Sequence, residues 1–424
     1  MTQARHTGFA KLTQKDVSAA IARHEMLYSG RMGGARAVFA FCDLGGLDLS
    51  GRNLADADFT GAILEETNFA ASKLDSASFF GADLRRCNLE GASMRRADMR
   101  GASLRGANLI GADLYEADLR EGTIAEKDKH GNLRVLQHDL GPSELPAAMM
   151  NSANLSGAKM TGAIAVQADF TDAVMKGCRL TRANLRQARL NGANLENADL
   201  SGCNLTGADL GGCILIGAKL DFATTHGADM SKTLTAAVEP NPEEIAGIEQ
   251  LLAAHSRWAE SDGREGKPAD LTNKDLRHVP SLARRKLTAL IAPGAQLYGV
   301  NLEGASLQGS NLAGADLRSA KLGGADLRGC NLSGAQMNHA DLRDTKLGPL
   351  LITGNRLLPA RLDNAQCRYA DLRGADLRRA RLSGCDMSYA SMGDADMRDT
   401  ETDGADFSGA KLPMVFAEAL AASA

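Results

Sequence analysis

Large rings are scarce in this sequence. Aromatic residues make up 4% of 424 residues, and there is one tryptophan, Trp258. A core built on aromatic packing is excluded, so the interior has to be filled by Leu and small residues. No stretch approaches 18 consecutive apolar residues, so no membrane-spanning helix and no membrane partner is expected. The start, MTQARHTGFAKLTQK, lacks the apolar run of a secretory signal. Excess charge of one sign is lacking too, since 48 Lys and Arg stand against 52 Asp and Glu. That balance excludes a strongly basic, direct nucleic-acid binder and a globally acidic mimic. The sequence carries no P-loop, His-Glu-x-x-His motif or Ser/His/Asp arrangement, and the eight histidines are scattered. No enzyme, catalytic residue, cofactor or metal site is expected. Eight cysteines without an export signal are expected as thiols in a reducing compartment, the cytoplasm.

What the chain does contain is a period of five. A large apolar residue, here called the centre, recurs at Leu44, Leu49, Leu54, Phe59, Leu64, Phe69 and onward to Ile124. The rhythm returns from Met150 to Met230 and from Leu297 to Leu412. Of these 58 positions only Ala165, Thr225, Cys367 and Thr402 depart from Leu, Met, Phe or Ile. Two residues before the centre stands something small, usually Ala and sometimes Cys, Ser or Thr, and Asp, Asn or Ser commonly lies between them. Gly is common two residues after. Five is neither 3.6 nor 2, which excludes a long helix and an ordinary long strand. It suits a short extended piece plus a corner: the small residue and the centre point inward, and the residue between them points out. Stacked coils then bury each centre against the next, as in any solenoid. Eight of ten prolines avoid the arrays, consistent with a backbone that must donate hydrogen bonds; only Pro349 and Pro359 fall inside.

The segments GADLRRCNLEGASM and GADLRSAKLGGADLRGCNL resemble the A(D/N)LXX pattern of the pentapeptide-repeat family. The resemblance covers about two thirds of the chain. It implies an all-β solenoid, a right-handed quadrilateral parallel β-helix with four repeats per coil, in two or three stacked arrays with short capping α-helices. Residues twenty apart should then stack. Phe59, Phe79, Met99 and Leu119 would form one inner column, and Asn68, Asn88 and Asn108 an outer ladder of bonded amides. Arginine columns such as Arg378 and Arg398 should be interleaved with Asp.

The expected organisation is an N-terminal segment with a capping helix (1–40), a first array (41–124), an insertion (125–149) and a second array (150–235). A linker (236–290) containing a helix at 242–260, a third array (291–412) and a C-terminal helix (413–424) complete it. Centres end in 4 or 9 in the first array and in 5 or 0 in the second, so the phase slips at the insertion. The insertion reads as a surface hairpin. Its Asp128, His130, His138 and Asp139 match no metal-binding spacing. A β-helix has open edges that need covers. Residues 13–28, with Thr13 and Asp16 as a capping-box-like start, present Val17, Ala20, Ile21, His24, Leu27 and Tyr28 on one face. Residues 242–260, begun by Asn241 and Pro242, present Ile245, Ile248, Leu252, His255 and Ala259, flanked by Leu251 and Trp258. Aligning His24 with His255 sets Leu27 against Trp258 and, after one added residue, Gly34 against Gly266. Two related modules are implied, with a boundary near residue 236. The C-terminal helix either covers the last coil or makes a homodimer contact.

All eight cysteines occupy inward positions and are expected buried and inert. Cys367 and Cys385 are the nearest pair, at about 8 Å between Cα atoms by strand geometry, beyond disulfide range. Residues for interaction or capping are His24 and His255, as histidines at the helix–coil junctions, and Trp258 as a packing anchor. Phe80, Tyr115 and Tyr298 are candidate aromatic contact points. The leucines at 350–351 and 357–358 are expected to pack beneath a helix. The functional expectation is a non-catalytic scaffold for an unidentified protein partner. The alternative comes from the resemblance: quinolone-resistance members resemble B-DNA in size and charge and bind DNA gyrase. Only the first array leans acidic, with 14 acids against 9 bases over residues 42–124.

Overall fold

The structure is a computed structural model that describes residues 9–122, 125–127, 133–135, 142–235, 241–279, 281–352, 354 and 356–423. The chain divides into two compact units, Met1–Ala237 and Val238–Ala424. Each is a right-handed quadrilateral β-helix whose coils are joined by parallel bridges between residues one coil apart.

One repeat, residues 57–61, shows why five residues close a unit. The Ala57 N–H donates to the Leu54 carbonyl (3.1 Å), forming a turn whose third residue, Asp56, takes φ 58°. The Asp58 N–H donates to Ala37 O (3.1 Å) in the preceding coil, and the Phe59 N–H to Ser78 O (2.7 Å) in the following one. Gly61 N–H donates to Phe80 O (2.8 Å). The remaining N–H, of Thr60, has no backbone acceptor; the Asp58 carboxylate takes it at 3.0 Å. All five donors are thereby satisfied, as buried backbone requires. Asp and Asn recur between the small residue and the centre, where a short side-chain acceptor can take that N–H.

Inside unit 1, Phe39 stacks on Phe59 (5.3 Å) and Phe59 on Phe79 (4.9 Å, 2° between planes). Phe69 meets Phe59 and Phe79 edge-on. Met99 and Leu119 continue the column, fully buried. Outside, Asn108 Nδ2 donates to Asn88 Oδ1 and Asn88 Nδ2 to Asn68 Oδ1, both at 3.2 Å. Where a small position carries Cys, Ser or Thr, its hydrogen often donates to the centre carbonyl of the coil before, whereas Ser72 and Thr345 donate to the preceding centre of their own coil. Cys87 Sγ reaches Leu64 O at 2.7 Å, and Ser310 Oγ reaches Leu287 O at 2.9 Å.

The first two arrays form one tower. Ser103 bridges to Glu144 and Asp118 to Lys159, so the ladder crosses the insertion without a break. The partner of Ser103 lies one residue beyond a multiple of five, which is the phase slip. Ala125–Lys127 and Leu133–Val135 pair antiparallel as a hairpin. The four candidate metal-binding positions, 128, 130, 138 and 139, lie outside the described residues. The ladder also starts earlier than expected in each array, at Val38, Glu144 and Asp270. The segment 269–290, expected within a linker, is therefore the first coil of unit 2. Its register was hidden because Asp270 pairs with Ile291 and Lys286 with Ser306, a one-residue shift near Pro280.

Helix α1 (Gln14–Tyr28) begins in a capping box between Thr13 and Asp16 and buries Val17, Ile21 and His24. Helix α2 (Pro242–Glu260) is capped by Asn241 and buries Ile248, Leu252 and His255. Leu27, Tyr28 and Leu251 are exposed, so the buried stripes are narrower than the expected faces. Helix α3 (Met414–Ser423) sends Phe416 against Phe407 (5.6 Å), while Met414 and Val415 remain exposed. Among the described residues no helix is long and apolar enough to cross a membrane.

Seven cysteines are buried and Cys42 is half-buried. Burial pushes the Cys203 and Cys330 thiols up to about 12. Cys367 and Cys385 are free thiols, as expected; both side chains enter the same interior, where their sulfurs lie 3.8 Å apart.

Two outcomes are expected. A thiol reagent should label Cys42 alone in the native protein and all eight cysteines after unfolding, since thiolate formation and access are both suppressed inside; native labelling of Cys87 or Cys203 would contradict the assignment. Phe79→Ala should destabilise unit 1 by about 3–5 kcal/mol, from lost burial and an unfilled cavity. Urea unfolding with the wild-type midpoint would show that the aromatic column does not support the tower.

Candidate functional site

The two caps repeat one construction. In unit 1 the chain leaves α1, and the Ala35 N–H donates to the Arg23 carbonyl at 3.0 Å. Two residues later the Ala37 N–H donates to His24 Nδ1 at 3.0 Å. In unit 2 the Lys267 N–H donates to the Ala254 carbonyl (3.2 Å), and the Ala269 N–H to His255 Nδ1 (3.0 Å). Gly34 and Gly266 permit this return. A Cβ at Gly34 would run into the Leu27 backbone, and one at Gly266, where φ is +77°, into the Ala254 carbonyl. Both histidines are fully buried, and neither Nε2 has a hydrogen-bond partner of acceptable geometry. Burial pushes both imidazoles below their ordinary pKa, outweighing the opposing pull of the Ala55 carbonyl and Asp56 at His24, and of the Leu287 and Thr288 carbonyls at His255.

The unit 1 cap also seals the backbone edge. Ala10–Lys11 adds a parallel strand to Cys42–Asp43. Gln14 exchanges two hydrogen bonds with the Asp48 backbone, at 2.8 and 2.9 Å. The Tyr28 hydroxyl donates to Ala55 O at 2.7 Å and to the Asp56 carboxylate. Burial, with help from Asp56, pushes that phenol up to about 12. Trp258 is half-buried, its ring 5.5 Å from that of His255.

The aromatic contact candidates are not brought together. Phe80 and Tyr115 stand on different corners of unit 1, each half-buried. Arg100 covers the Phe80 ring at 5.0 Å and Arg95 the Tyr115 ring at 4.7 Å. Tyr298 lies on a corner of unit 2 and is also half-buried. A stack not anticipated from the sequence runs along that same corner. His339 and Tyr369 lie 5.4 Å apart, and Tyr369 and Tyr389 4.9 Å, with planes within 13° and 6°. The faces of these rings are used on one another.

Charge on the walls is largely cancelled locally. In each Asp-Leu-Arg triplet the carboxylate grips the guanidinium at two points, as for Asp371–Arg373 (2.8 and 2.6 Å) and Asp376–Arg378 (both 2.8 Å). These hydrogen bonds hold both carboxyls below their ordinary range. Arg378 also faces Asp396 of the next coil at 3.6 Å, the interleaving expected for this column. A shallow groove of about 760 Å³ runs past Lys346, Pro349, Arg379 and Arg398, but Asp344, Asp376 and Asp399 line it too.

The leucines expected beneath a helix form a hairpin instead. Asn331 bridges to Arg361 rather than to position 351, so ten residues leave the coil between successive turns of the ladder. Leu350–Leu351 pairs antiparallel with Leu357–Leu358. Leu350 and Leu358 lie over Gly329. Leu351 is 63% exposed and Leu357 45%. Ten is two repeats, so Ile352 and Leu357 kept the phase of centres while lying outside the coil. The flanking Pro349 and Pro359 were the available signal.

Among the described residues no cluster of His, Cys, Asp or Glu is placed to hold a metal ion. No curated protein matches the chain. Solved structures do. HetL, a pentapeptide repeat protein involved in heterocyst differentiation regulation from the cyanobacterium Nostoc sp. strain PCC 7120, is 24% identical; the match covers 76% of this chain and 90% of HetL, with a TM-score of 0.24. Full-length QnrB1, a plasmid-mediated fluoroquinolone resistance protein, is 18% identical over 51% of this chain and 97% of its own, with a TM-score of 0.21. A pentapeptide repeat protein of the Arabidopsis thaliana thylakoid lumen is 32% identical over 31% and 66%, with a TM-score of 0.15. The family model for pentapeptide repeats matches overlapping stretches that together span residues 35–120, 153–231, 295–348 and 360–399. With more than half of its length matched, the chain belongs to the pentapeptide-repeat family.

Proposed function

We propose that the protein is a non-catalytic cytoplasmic scaffold that binds a protein partner through an apolar contact. The observation that carries this reading is the hairpin of Leu350–Leu351 and Leu357–Leu358, which presents Leu351 and Leu357 to solvent from a wall whose charges are mostly paired. Exposed leucines on a short, hydrogen-bonded projection lose little conformational entropy on contact and gain the burial of two large apolar side chains. The eight free thiols suit a reducing compartment. The gyrase-binding role has less support. A B-DNA mimic needs a dominant negative surface, and in the acidic first array Arg85, Arg100 and Arg120 sit on Asp83, Asp98 and Asp118.

Affinity capture from native cytosol should recover a partner with wild-type protein and lose it with the double variant Leu351→Asp, Leu357→Asp, whose circular dichroism should match wild type. Binding of the purified partner should fall at least tenfold. Recovery of the same proteins by both forms would end the hairpin reading. Specific recovery of DNA gyrase, with inhibition of supercoiling by wild type and variant alike, would replace it with the mimic.

A further inference from the structure

We infer that each capping helix is an acid-released latch, in which protonation of His24 or His255 undocks the helix from the first coil of its unit. The geometry is the same twice. Each imidazole is fully buried, and its Nδ1 is already committed as the acceptor of a backbone N–H, from Ala37 in one unit and Ala269 in the other. A protonated imidazole has two donors and no acceptor. The proton added at Nδ1 would point at that N–H, and the new charge would have no water to solvate it. Each helix is anchored by three buried side chains, one of which is the histidine: Val17, Ile21 and His24 on α1, and Ile248, Leu252 and His255 on α2. Charging the histidine therefore acts on one of three buried contacts, beside polar bonds such as Gln14 to Asp48 on α1 and Arg285 to Glu249 on α2.

The surroundings do not offset this. Toward His24 the helix presents Glu25 and Tyr28, the returning loop Arg36, and the coil Asp56; the acids favour the charged ring and Arg36 opposes it. Toward His255 the coil presents the Leu287 and Thr288 carbonyls and α2 presents Trp258. Among the charged groups on the elements packed there, α2 carries Arg257 and Glu260, the turn Asp262, Arg264, Glu265 and Lys267, and the coil Lys286 and Arg285, the last bonded to Glu249. Burial dominates at both rings and leaves the docked-state pKa below the ordinary 6.5. The docked form thus binds fewer protons than the released form. Its stabilisation is complete above about pH 6.5 and declines as the pH falls toward the docked-state pKa.

Trp258 is the only tryptophan and lies beside His255, so its emission reports α2 alone. Titration of the full chain from pH 8 to pH 4 should give a reversible red shift with a midpoint below 6.5. His24→Gln should leave that shift in place. His255→Gln should remove it, because the amide can accept the Ala269 N–H but cannot charge. Hydrogen exchange around Val17 and Ile21 should show the converse pattern. An unchanged Trp258 spectrum across the range, or the same midpoint in His255→Gln, would overturn the latch. If the glutamine variant proves undocked at pH 8, the imidazole resonances of the wild type decide: a pKa at or above 6.5 for both histidines overturns it, and lowered values for both support it.

Discussion

The structure depends on one donor that the backbone cannot satisfy. Each repeat has five N–H groups, and turn and inter-coil bonds take four, as in residues 57–61. Where the preceding outward residue is Asp or Asn, its short acceptor meets the fifth, as Asp58 does for Thr60. A buried donor left open costs about 1–3 kcal/mol. The outward Asp or Asn is thus as much a part of the fold as the leucine beside it.

The same side chains then set the character of the surface. An Asp that holds a corner with Oδ1 still has Oδ2 free, and an arginine two residues on can take both atoms, as Arg373 does with Asp371. Positive charge is drawn to the negative charge that the corner requires. This accounts for a chain with many ionic groups and a net charge of only −4. It also explains why arginine columns can stack, since each arginine meets its own carboxylate before it meets the next arginine.

What could be read from the sequence follows from this regularity. The fivefold period gives the inward and outward positions, the Phe59–Phe79 column and the Asn68–Asn88–Asn108 ladder. Thr13, Asp16 and Asn241 mark helix starts. Departures are legible only when they break the phase. The insertion after Gly122 does, because Ser103 and Glu144 are off register by one. The leucine hairpin does not, because ten residues leave the rhythm intact. The His339–Tyr369 step of the aromatic stack is hidden for the same reason, since those two align only after the ten residues are removed, whereas Tyr369 and Tyr389 are twenty apart and could have been read. Cys367 and Cys385 were legible as the nearest cysteine pair, but spacing along the wall says nothing of how far two inward side chains converge.

A repeat that satisfies itself so completely has little left with which to recognise anything. Specific behaviour has to come from places where the repeat is interrupted, and the fold restricts those places. A coil can admit extra residues at a corner, where the chain already turns, and it must be closed at an end, where backbone groups would otherwise be exposed. In this chain the corner gives the leucine hairpin and the ends give the histidine-held helices. The caps carry a further consequence. Each cap rests on three buried side chains and a handful of polar bonds, whereas successive coils share a continuous ladder of backbone bridges. The ends are therefore where solution conditions can act while the tower stays intact, and a buried titratable group in each cap is the means by which a static solenoid acquires a condition-dependent edge.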